Sequence, residues 1–79
     1  MYFLVQMKFK NDGTVDKGTS TYDTKDDTVV QFHIAIASAM QKPDTDKFTA
    51  VILDENGKIE KREVWTAPIV ESDETDEPN

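Results

Sequence analysis

The sequence predicts an α+β domain of two layers, a four-stranded antiparallel sheet with one helix packed on one face. Three observations lead there. Extended segments flank a single helical segment, with MYFLVQMKFK and a threonine-rich run before it and KFTAVILD and KIEKREVW after it. Asp-Gly and Asn-Gly dipeptides stand where neighbouring extended runs must reverse direction. Pro43 closes the helix and leaves only the short polar connection PDTD before the chain becomes extended again.

In the first strand, Phe3, Val5, Met7 and Phe9 alternate with Leu4, Gln6, Lys8 and Lys10, a period-two pattern that predicts the first four as core. Asn11-Asp12-Gly13 is the turn, because glycine accepts positive φ without steric cost. A second strand is expected near Thr19 to Asp23, anchored by Tyr22. Thr24 offers an N-cap hydroxyl with Asp27 three residues on, and Asp26 and Asp27 put negative charge at the positive end of the helix dipole. The helix should run from there to about Gln41. Across Asn56-Gly57, a two-residue type I′ turn would set Phe48 opposite Trp65, Thr49 opposite Val64 and Val51 opposite Arg62. With alternating strand directions and the helix returning over one face, the expected sheet order is 2-1-3-4, whereas 2-1-4-3 would need a parallel pair.

Residues 1–70 form the expected single domain. They hold all nine Lys and Arg against eleven Asp and Glu, so most of the net charge of −7 falls in ESDETDEPN. Residues 71–79 are acidic with no aromatic or large apolar side chain, a composition that predicts a disordered tail. A chain of 79 residues buries little surface and usually needs a supplement. Without cysteine neither a disulfide nor a thiolate zinc site is available, and with one histidine no metal site is expected. Self-association, as a dimer or larger, is the remaining supplement. No apolar run approaches the roughly 20 residues that span a bilayer, and no basic segment precedes the apolar N-terminal residues. A cytoplasmic protein with no membrane partner is expected.

His33 is the only histidine and stands in the most apolar stretch, QFHIAIASAM. At 100° per residue, Val29, Phe32, His33, Ile36, Ala37 and Met40 share a stripe that should face the sheet. Two readings stand. His33 is a neutral core residue whose N–H meets a carbonyl or a hydroxyl such as that of Tyr22, or it contacts a ligand or titrates at an interface. Under the second, His33, Tyr22 and Trp65 are the candidate ligand contacts. Ile34 projects away from the stripe, and the third strand is apolar on both faces, which one helix cannot cover. Leu4, Ile34, Val51, Leu53 and Val64 are therefore candidate interface residues.

Catalysis is not expected. There is no phosphate loop, dinucleotide fingerprint or HExxH, no thiol, and no nucleophile and carboxylate spaced around His33; no cofactor is implied. DENGK lacks the spacing of a calcium loop and is explained by the hairpin. Basic residues are interleaved with acids and no base-stacking motif occurs, so direct nucleic-acid binding is not expected. MYFLVQMKFK, the Phe32-His33 pair, ASAM and VILDENGKIEKREVW together resemble small proteins of phages and prophages of Gram-positive bacteria, over most of residues 1–67. That group has no assigned activity. The resemblance implies a non-enzymatic binding protein in the host cytoplasm, a phage accessory or counter-defence factor that binds a host protein or sequesters a small nucleotide. A small virion component and a ligand-responsive regulatory module are the alternatives.

Overall fold

The computed structural model describes residues 1–68; the expected acidic tail lies outside the described residues. Strands β1 (Tyr2–Lys10) and β2 (Val15–Tyr22) precede helix α1 (Lys25–Met40), and β3 (Thr45–Asp54) and β4 (Ile59–Thr66) follow it. The four strands form one antiparallel sheet in the order β2-β1-β3-β4, with α1 packed against it. The ββαββ layout and strand order are those the sequence predicts.

Both hairpins close the same way. Gly13 donates to the Lys10 carbonyl and Lys10 to Thr14, at 3.0 and 2.9 Å; Gly57 donates to Asp54 and Asp54 to Lys58, both at 3.0 Å. Gly13 (φ 93°) and Gly57 (φ 85°) are left-handed, while no non-glycine residue has positive φ. The second turn is therefore not the expected type I′, which would also need Asn56 left-handed. Glu55 and Asn56 occupy the corners of an ordinary turn and Gly57 follows as the left-handed bulge residue. A register shift between Ile52 and Leu53 absorbs the extra residue, and beyond it Phe48 meets Trp65, Thr49 meets Val64 and Val51 meets Arg62 as expected. Each turn is braced by a carboxylate. Asp12 accepts from the Thr14 N–H and hydroxyl, and Asp54 from the N–H groups of Asn56 and Lys58.

Thr24 caps α1 by accepting from the Asp27 N–H at 3.1 Å, and the helix ends at Met40, three residues before Pro43. Which side of α1 is buried differs from expectation. Thr28, Phe32 and Ala39 are buried, with Val29, Ala35 and Ile36 partly so, while His33, Ala37 and Met40 are exposed. The helix is turned by about a quarter-turn from the expected stripe. Apolar residues surround most of its circumference, so periodicity alone defines the stripe poorly. Polarity and size decide it. The Thr28 hydroxyl donates to the Thr24 carbonyl at 2.7 Å and can be buried without loss, whereas an imidazole would need outside partners. Ala35 and Ala39 let the helix come close to the strands.

The sheet face under α1 also differs from expectation. Leu4, Ala50 and Ile52 are fully buried and Phe48 nearly so, with Tyr2, Tyr22 and Trp65 packed around them. Leu4 pairs with Ile52, which places both on the helix side. Phe3, Val5, Met7 and Phe9, expected as core, therefore point to the other side, where they are half-buried by one another and by adjacent strands.

Candidate functional site

The outer side of the sheet is the largest apolar feature of the described residues that no other described element covers. Strand pairing builds it row by row. Phe3 lies between Thr21 and Leu53, Val5 between Thr19 and Val51, Met7 between Lys17 and Thr49, and Phe9 between Val15 and Lys47. On β4, Val64 extends the Thr49 row and Arg62 the Val51 row. The centre is Phe3, Val5, Met7, Val51 and Leu53, all half-buried; Val15, Ile59 and Val64 at the margins are exposed. Every charged side chain in these rows is a cation: Lys17 on β2, Arg62 on β4 and Lys47 near the end of β3. The Lys47 ammonium lies 4.6 Å from the centre of the Phe9 ring.

A second, narrower apolar surface runs along the outside of α1. Val30, Ile34 and Met40 are each more than half exposed, and His33 and Ala37 lie between them. The His33 ring stands edge-on to Phe32 at 5.4 Å between centroids. Phe32 in turn receives Lys61 from β4 at 5.6 Å, and Lys25 reaches Glu60 at 3.3 Å, so polar contacts tie α1 to the β4 edge.

The residues expected at a ligand site do not converge. His33 is on the solvent side of α1, and Tyr22 and Trp65 are half-buried against the core on the two opposite edge strands. The core-histidine reading of His33 is overturned by its exposure. Of the expected interface residues, Val51, Leu53 and Val64 share the open sheet face. Ile34 lies on the far side of the molecule on α1, and Leu4 is buried beneath the helix and unavailable to a partner. Phe3, Val5 and Met7 are the open-face residues that sequence reasoning missed. Their alternation is visible in the sequence, but strand pairing puts it on the open side of the sheet rather than under the helix.

Among the described residues no three His, Asp or Glu side chains are grouped to hold a metal ion, and no helix is long and apolar enough to cross a membrane. The two turn aspartates titrate low. Hydrogen bonds from the Thr14 hydroxyl and N–H lower the Asp12 pKa, and the Lys58 N–H, followed by that of Asn56, lowers that of Asp54. Lys10 is raised by its hydrogen bond and ion pair with Asp16 at 3.1 Å. Comparison of the chain with known protein families, with curated proteins and with solved structures returned no match.

Proposed function

We propose that the protein is a non-catalytic binding module that works as a homodimer, two copies stacking their open sheet faces. The observation that carries this reading is the continuous apolar centre of Phe3, Val5, Met7, Val51 and Leu53 on a face left open by the described chain. Size favours this face over the helix stripe. Four strands of about eight residues, at strand spacings near 4.8 Å and a rise near 3.3 Å, present a footprint of about 500 Å². Two stacked copies hide about 1,000 Å² or more, where specific association begins. The outer stripe of α1, one helix wide, offers less than half of that.

The arrangement suits sheet stacking. Apolar residues occupy the middle, and Lys17, Arg62 and Lys47 sit toward the margins, where long side chains can keep their charges in water. A self-stacked pair brings like charges near one another around the rim, so added salt should strengthen it by screening. The resemblance of the sequence to small phage proteins supports reading such a module as an accessory or counter-defence factor.

Sedimentation across a concentration series tests the reading. A dimer at micromolar concentration is expected, tightening as salt is raised. Val51→Lys should give a monomer with an unchanged far-ultraviolet circular dichroism spectrum. A wild-type monomer throughout would overturn it, and association that weakens with salt would point to pairing between opposite charges instead.

A further inference from the structure

The helix side of the sheet is not apolar throughout. Beneath α1 the central strands carry Leu4, Phe48, Ala50 and Ile52, all buried. Beside the helix, on β1 and β2, the same face changes character. Gln6 pairs with Gly18 and Lys8 with Asp16, and these residues, with Ser20 and the wall of Phe48, line a groove of about 310 Å³ to which α1 contributes no residue.

Gly18 is the informative member. A glycine inside a strand weakens it and usually marks a bulge, a bend or a close approach. None of these applies. Gly18 does not have positive φ, the β1–β2 register runs unbroken through it, and a Cβ added there would meet no atom within 4 Å. The fold does not require glycine at this position, and its effect is to leave the groove floor flat and open. The second observation is charge. Asp16 is taken by Lys10 at 3.1 Å, while Lys8, half-buried in the groove, has no carboxylate within 4.0 Å among the described residues. Its ammonium is an unspent donor and positive charge beside a flat floor. Gln6 adds an amide able both to donate and to accept, and Ser20 a hydroxyl.

We infer that this groove binds a small flat-ringed anion, its anionic group on the Lys8 ammonium, its ring over Gly18 and its ring edge toward the Gln6 amide. The volume lies at the low end of small-molecule sites, the scale of a mononucleotide or a smaller aromatic acid. The site is on the opposite side of the sheet from the proposed dimer face and does not depend on it.

The test titrates the isotope-labelled full chain with adenosine 5′-monophosphate, with nicotinate and with inorganic phosphate, following backbone amide resonances. Saturable shifts centred on Gln6, Gly18 and Thr19 are expected with one or both ring-bearing anions; which one binds separates a phosphate from a carboxylate ligand. Gly18→Val fills the floor and should abolish the shifts while the rest of the spectrum stays folded. Lys8→Gln should weaken binding by about tenfold or more, the scale of one lost charged hydrogen bond. Absence of saturation with both ring-bearing anions, undiminished binding by Gly18→Val, or equal binding of inorganic phosphate would each overturn the inference. Should Gly18→Val fail to fold, Lys8→Gln and Gly18→Ala carry the same contrast.

Discussion

Replacing Leu4 and Val5, in turn, with alanine asks which side of β1 is the core. Leu4 is fully buried, flanked by Ser20 and Ile52 in the strand ladder and covered by α1. Truncation to alanine removes three methylene-sized groups, about 2.4 kcal/mol of transfer free energy. The cavity adds to this, because strands held by hydrogen bonds on both sides cannot close around it. The total should be about 3–4 kcal/mol, within the range for buried leucines. A domain of this size is stable by only about 3–10 kcal/mol, so Leu4→Ala removes a third or more of the stability at every protein concentration. Val5, adjacent in sequence but half-exposed on the open face, should cost about 1 kcal/mol or less in the isolated protomer. Its further cost should appear only as a loss of the concentration-dependent part of stability. Urea unfolding at two well-separated protein concentrations reads both effects. If Val5→Ala costs as much as Leu4→Ala at the lower concentration, the helix covers the other side of the sheet and the reasoning fails.

Other outcomes follow from single contacts. His33→Ala should change stability by about 0.5 kcal/mol or less, as for an ordinary surface site; a calorimetric loss several times larger would restore a core role for the imidazole. Thr24→Ala removes the acceptor for the Asp27 N–H and should cost about 1 kcal/mol, read as a lower urea midpoint. Gly57→Ala forces a side chain into φ 85° with no steric obstacle around it, so a loss of about 1 kcal/mol measures backbone strain alone. Asp54 and Asp12 have folded pKa values below their unfolded ones, so their stabilisation is complete above the ordinary carboxylate range and lost as pH falls through it toward the folded values. Asp54→Asn should flatten that acid limb in a pH series of melting temperatures, and an unchanged limb would exclude Asp54 as its source.

Local chemistry was legible in the sequence. Thr24 with Asp27, Pro43, and the two glycines after Asp12 and Asn56 marked the helix ends and the turns, because caps and left-handed positions depend on residues within a few places of one another. The pairing of Phe48 with Trp65 was also legible, even though the turn type was not, because the bulge that replaces the type I′ turn leaves the same register beyond Ile52. The strand order followed from alternating direction. The fate of Leu4, Val5 and His33 was not local. β2 and β3 run parallel with β1 between them, so α1 is a crossover, and crossovers are right-handed in nearly all proteins. That handedness, with the pleat phase fixed by pairing, selects the face α1 covers, whatever the apolar pattern of β1 taken alone. The selected face carries Ala50 at its centre, a small residue that admits a helix bearing Phe32. The other face is crowded with Phe3, Val5, Met7, Phe9 and Leu53 and offers no such space. The chain thus specified its elements by contacts between near neighbours, while the core, the open face and the exposure of His33 were decided when all four strands and the helix met.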